Sequence, residues 1–202
     1  MEAELKKGTW VRLFMRKLFH FAALLALAVS PLLATAPLPR KSPEFAIYEP
    51  GGKTTLLSSF KGKVVVIEFL FVGSQHCLRV AATINKLNSE LGARGFQPVG
   101  IAFGRDANGA NVYLIAQTLK LSYPLGYASK DDVDSFLGRT GNEVLSIPQV
   151  VVIDRSGVIR ATSGSRRGDA KLEDEGYLRD LIDALLKDGF GSPGAKKNVP
   201  LQ

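Results

Sequence analysis

Cysteine and histidine are nearly absent from this chain. Its 202 residues include one cysteine, Cys77, and two histidines, His20 and His76. A lone cysteine excludes a disulfide within the chain, and three such side chains are too few for a four-ligand Cys/His zinc site. Charge of one sign is also in short supply. The formal net charge is +7, but residues 1–36 supply +3 of it, through Lys6, Lys7, Arg12, Arg16 and Lys17 against Glu2 and Glu4. Beyond them basic and acidic side chains interleave. No basic stripe forms, so a nucleic-acid surface is not expected.

Long hydrophobic runs are limited to one. Leu18 to Ala36 (LFHFAALLALAVSPLLATA) carries no formal charge and follows a basic, polar stretch. Two readings fit, a cleaved export signal and a single membrane anchor. Ala34-Thr35-Ala36 matches the small-residue cleavage pattern, and Pro37 immediately after it disfavours cutting. The length suits a marginal membrane span, kinked at Pro31. Both readings place the remainder outside the cytoplasm, periplasmic or otherwise extracytoplasmic, and the uncut form would be tethered to the inner membrane through residues 18–36. Residues 37–42 open a proline-rich stretch and are expected to be a linker. Residues 43–189 suffice for one domain with a full core. The Gly/Pro/Lys-rich residues 190–202 are expected to be a disordered tail.

Within the domain, Val64 to Phe71 is apolar on both faces apart from Glu68, as in a central strand of a covered sheet. Gly73 and Ser74 punctuate it. Val80, Ile84, Leu87 and Leu91 then recur at helical spacing, which places Ser74, His76 and Cys77 at the start of a helix. Around this unit the pattern predicts a hairpin over 45–60, a strand over 96–103 and a helix over 110–121. A short strand follows over 123–127, a short helix over 131–137, a hairpin over 149–162 and a last helix over 173–187. The alternation indicates a three-layer α/β domain with a mixed sheet.

KGKVVVIEFLFVGSQHC, RGFQPVGIAF and SIPQVVVIDRSGVIR together resemble the thioredoxin-like proteins of the TlpA/ResA and AhpC/TSA (redoxin) group. The resemblance runs from about Pro43 to Lys187. It implies a thioredoxin-like fold with helices on both faces of the sheet and an inserted strand-helix unit within 103–127. The Cys-x-x-Cys of the group falls on Ser74-Gln75-His76-Cys77, so serine replaces the first cysteine. Pro148, after Ile147, falls on the cis-proline that shapes the substrate groove. Glu68 falls on the buried carboxylate that exchanges protons with the second cysteine.

A serine cannot attack a disulfide or form one, so a complete dithiol cycle is not expected. Ser74 has a structural explanation as a helix N-cap. For Cys77, the helix N-terminus and His76 favour the thiolate, whereas burial disfavours it. Its role therefore stays open between a reactive thiol and an inert buried remnant. Glu68 reads either as a bulged residue reaching solvent or as a proton acceptor of raised pKa. His76 reads as a cation beside the thiolate or as an exposed imidazole.

Three functions follow. The first is an exported oxidoreductase acting through one thiol on thiol- or disulfide-containing proteins. The second is a one-cysteine thiol peroxidase resembling peroxiredoxins, with Ser74 in place of their threonine, although Leu70 and Pro148 stand where their proline and arginine belong. The third is a non-catalytic module that binds a partner polypeptide in the groove at Pro148. None calls for a cofactor or a metal.

Overall fold

The computed structural model describes residues 37–139, 145–163 and 170–187. The expected signal or anchor and the expected tail after residue 189 lie outside the described residues. Eight strands form one mixed sheet in the order β1-β8-β7-β4-β5-β6-β2-β3. They are β1 (Arg40–Lys41), β2 (Ala46–Tyr48), β3 (Thr54–Leu56), β4 (Val64–Leu70), β5 (Phe96–Ala102), β6 (Leu125–Tyr127), β7 (Gln149–Ile153) and β8 (Val158–Thr162). Among the described residues four α-helices accompany them: α1 (Gln75–Leu91), α2 (Gly109–Thr118), α3 (Lys130–Leu137) and α4 (Glu175–Lys187).

The centre lies where the apolar run predicts it. All seven residues of β4 are buried, parallel to β5 on one side and antiparallel to β7 on the other. Alternation then divides its side chains between two layers. Val64 and Val66 join Ile84 and Leu87 of α1 and Leu178, Ile182 and Leu185 of α4. Val65, Ile67 and Phe69 face the opposite way, toward Phe45 and, from α3, Val133, Phe136 and Leu137. A smaller cluster at the C-terminal end of the parallel strands joins Leu70, Ala102 and Leu125 to Cys77 and to Val112 and Ile115 of α2. The inserted unit is thus α2 with β6.

Pro98 sits in β5 without disturbing the sheet, because β6 pairs only with Gly100 to Ala102 and leaves the Pro98 side open. Two expectations need correction. Residues 40–41, within the expected linker, are an edge strand paired with Val158 and Ile159. The Arg40 guanidinium also donates to the Phe136 carbonyl at 2.6 Å, fastening this segment to α3. The last helix starts at Glu175, not at Glu173, which belongs to a preceding 3-10 turn, Ala170–Glu173. Among the described residues, no helix is long and apolar enough to cross a membrane.

Candidate active site around Cys77

The strand-to-helix turn after β4 builds the site. Phe71 leaves the strand and is 42% exposed, its ring 4.7 Å from that of buried Phe103. Gly73 has φ +81°, a conformation that L side chains rarely adopt, and so allows the chain to reverse into α1. Ser74 is the N-cap, its side chain accepting from the Cys77 amide at 3.4 Å. That is the role its residue type suggests. It leaves the serine proton free to point toward the sulfur.

Cys77 is 0% exposed. Burial raises the thiol above the ordinary cysteine value, and a negative charge on Glu68 adds to the rise. Hydrogen bonds from the Ser74 side chain and from the Phe71 and Cys77 backbone offset part of it. Burial therefore outweighs the hydrogen bonds that favour the thiolate.

Glu68 does not reach solvent through a bulge. It is 0% exposed, in regular register with Gly100 of β5 and Val150 of β7. By alternation it shares the face of Val66 and Leu70, beneath α1. Both carboxylate oxygens lack a hydrogen-bond partner. Burial first, and then the charge of Glu173, push its pKa well above the usual carboxylate range. Beside it, Leu125 and the Tyr123 ring crowd Gly100, where an added Cβ would lie 2.4 Å from Leu125 Cδ1 and 3.5 Å from Tyr123 Cε2. The Tyr123 hydroxyl donates to the Ala81 carbonyl of α1 at 3.3 Å. Burial, and then the Glu68 charge, hold this phenol well above its ordinary pKa.

The Ile147–Pro148 peptide is cis, and Ile147 packs against the cluster that contains Cys77. The buried Ser163 hydroxyl accepts from Val150 N at 2.7 Å and donates to the Pro148 carbonyl at 3.4 Å. This ties the proline turn to the end of β8. His76 turns to another partner. Its imidazole is 49% exposed, with Nε2 2.8 Å from Glu173 Oε2. Sequence reasoning thus brings Ser74, Cys77, Glu68 and Ile147 to one place. It missed Glu173, Tyr123 and Ser163, which arrive from distant segments and carry no local motif. Among the described residues, no group of three or more His, Cys, Asp or Glu side chains could hold a metal ion.

The Redoxin family model matches residues 39–175. No curated protein sequence matches the chain. Among solved structures, the chain is similar to a thiol:disulfide interchange protein of the thioredoxin family from Chlorobium tepidum TLS, at 24% identity and TM-score 0.61. That match covers 76% of this chain and 99% of the other. A thiol:disulfide interchange protein from a Bacteroides species matches at 22% identity and TM-score 0.56, covering 75% and 91%. A secreted disulfide oxidoreductase of Mycobacterium tuberculosis matches at 15% identity and TM-score 0.54, covering 69% and 95%. With its family model spanning the sheet, the capped turn at Ser74 and the cis-proline, the chain belongs to the Redoxin family and has a thioredoxin-like fold.

Proposed function

We propose that this protein is an exported thioredoxin-like redox protein that acts on thiol- or disulfide-containing proteins through the single sulfur of Cys77. The observation that carries this reading is Glu68. An unpartnered carboxyl buried in a central strand costs several kcal/mol and contributes nothing to the pairing of β4. Proton exchange with a neighbouring sulfur is a function that repays such a group. Its raised pKa makes the ionised form a stronger base, closer in strength to a thiol.

The step consistent with one sulfur is a single exchange. The Cys77 thiol passes its proton to ionised Glu68, and the sulfur attacks a substrate disulfide. One new S–S bond forms to Cys77, the substrate S–S bond breaks, and the proton ends on the leaving sulfur. An external thiol then cleaves the mixed disulfide and returns Cys77 to its reduced form. Ser74 holds the attacking sulfur in place, and the edge formed by Ile147 and Pro148 is the surface against which the substrate chain would lie. Export is supported by Leu18–Ala36 and by the secreted relative from Mycobacterium tuberculosis.

A second reading is favoured by the burial of Cys77: a non-catalytic module that holds a polypeptide against the same edge. The peroxidase reading has less support, because Leu70 and Pro148 stand where peroxiredoxins carry a proline and an arginine. The deciding measurement is the mixed disulfide itself. The folded chain is incubated with an aromatic disulfide across a pH series and the adduct is read by mass spectrometry. Adduct at Cys77, with a rate rising through the thiol midpoint, is expected. A thiol that reacts only after denaturation would refute the redox reading and favour the binding module.

A further inference from the structure

The end of the sheet opposite Cys77 carries a cleft that the redox site does not use. Its volume is about 570 Å³, within the range of about 300–1,000 Å³ that small-molecule sites occupy. Three segments enclose it: the residues from Lys41 to Glu44, the 3-10 turn Leu57–Phe60 with Lys61 and Lys63 after it, and the β7–β8 turn. Val65, at the start of β4, also lines it. Leu70, which packs in the cluster of Cys77, comes five residues later, about 16 Å along the strand.

Two kinds of surface meet in this cleft. Leu57, Val65 and Ile153 belong to the buried core beneath it, and Phe60 packs partly buried against the same core. Around them stand three exposed ammonium groups, on Lys41, Lys61 and Lys63. Among the described residues, neither Lys41 nor Lys61 forms an ion pair. Lys63 Nζ donates to Gln97 Oε1 at 3.0 Å, a neutral partner that leaves its charge uncompensated.

The acids of the cleft do not answer these charges. Asp154 is 1% exposed and accepts from Ser156 N and Oγ, Val158 N and the Arg160 guanidinium at 2.6–3.0 Å. Glu44 Oε1 accepts from the amides of Phe45 and Ser58, both at 3.0 Å. The hydroxyls are engaged as well, Ser42 Oγ with the Pro43 carbonyl and Ser156 Oγ with Asp154. What the cleft offers a ligand is therefore positive charge beside an apolar wall.

We propose that this cleft binds a small organic anion with an apolar body, its carboxylate or phosphate held by Lys41 and Lys61 and its hydrocarbon laid against Leu57, Phe60 and Ile153. An inorganic anion would satisfy the ammonium groups and leave the apolar wall against water. A neutral hydrocarbon would cover the wall and strip water from the ammonium groups without replacing it, which is costly. A ligand that joins the two chemistries avoids both penalties. The assignment is independent of the redox reading, since it uses none of the residues around Cys77.

Octanoate is the probe, titrated into the isotope-labelled full chain and followed by amide NMR. Residue-by-residue reading keeps any binding elsewhere on the chain out of the measurement. The amides of Ser58, Lys61 and Gly157 should shift and saturate, while those of Ser74 and Cys77, at the other end of β4, stay in place. Butanoate should bind at least about tenfold more weakly, having four fewer methylene groups to bury. The double variant Lys41→Glu, Lys61→Glu alters two exposed side chains and should fold as the wild type does. Its affinity for octanoate should fall by about tenfold or more, as charge-assisted contacts are lost. Absence of saturable shifts at the cleft, or equal shifts at Ser74 and Cys77, would overturn the assignment. Equal affinity for butanoate would remove the apolar body from it, and an unchanged affinity in the double variant would remove the charge; either result refutes it.

Discussion

Replacing Glu68 by glutamine keeps the shape of the side chain and removes its charge at every pH. In the folded protein Glu68 has no solvent, no partner for either oxygen and a negative neighbour in Glu173. In the unfolded chain it titrates as an ordinary glutamate, near pH 4.5. Folding therefore raises its pKa, and the native state binds the proton more tightly than the unfolded state. Stability from this group is fully present below the unfolded value and is lost as pH rises through the folded one. Across that window wild-type stability should fall by about 1.4 kcal/mol per pH unit from Glu68 alone. The glutamine variant lacks this slope. The stability of Glu68→Gln relative to wild type, from urea unfolding at a series of pH values, should be flat below pH 4 and climb from about pH 5. It levels off where the native carboxyl ionises, and that plateau locates its pKa. Parallel pH profiles for the two proteins would refute the account, since they would mean that Glu68 is ionised or solvated in the native state. The same substitution removes a negative charge from beside Cys77, so its alkylation midpoint should fall, while any step that needs a proton acceptor at position 68 slows.

The other predictions concern the turn, a distant buried acid and a close approach of strands. Ser74→Ala removes the N-cap and should cost about 1 kcal/mol by chemical denaturation, with the Cys77 thiol midpoint rising as a stabilising hydrogen bond is lost; no change in either would remove Ser74 from the site. Ser74→Cys should create insulin-reducing activity, and a variant that folds without it would show that more than the first sulfur is missing. Asp154 closes the β7–β8 turn. Burial alone would raise its pKa, but hydrogen bonds from Ser156, Val158 and Arg160, with the Arg160 charge, outweigh burial and hold it low. Its stabilisation is present above the ordinary aspartate value and is lost as pH falls through the folded one. Asp154→Ala should therefore cost about 2–4 kcal/mol at pH 7 and much less near pH 2, by urea unfolding at both; an equal cost at both would refute the charge argument. Gly126→Ala would set a Cβ 2.5 Å from Ile47 Cγ2 and 2.8 Å from the Tyr48 carbonyl oxygen. Because β2 would have to move away from β6, a loss of about 1–3 kcal/mol is expected, and an unchanged melting temperature would show that the strand shifts freely.

How much of this was legible in the chain depends on the range of the interaction involved. The β4–α1 unit could be read directly, since a strand covered on both faces has to be apolar throughout and an amphipathic helix has to repeat. The Ser74 cap was legible for the same reason, being a contact between residues three apart. β1 was not. Two residues on a sheet edge bury little, and their strand character comes from Val158 and Ile159, more than a hundred positions away. Phe71 reads as the end of an apolar run, yet it lies outside the strand and is exposed, because Gly73 starts the reversal and the ring finds Phe103 instead. Glu173 was assigned to a helix as one acid among several favouring its N-terminus. Only the folded chain shows that the turn before the helix brings that acid to His76. The same distinction explains why the site looks broken in sequence and coherent in space. The sequence displays the residue that exchanges disulfides, and serine occupies that position. The groups packed around the remaining sulfur and Glu68 are contributed by β4, α1 and the segment before β6. On the single-thiol reading, proton exchange falls to a carboxyl that the sheet holds in place, and nucleophilic attack falls to Cys77 alone.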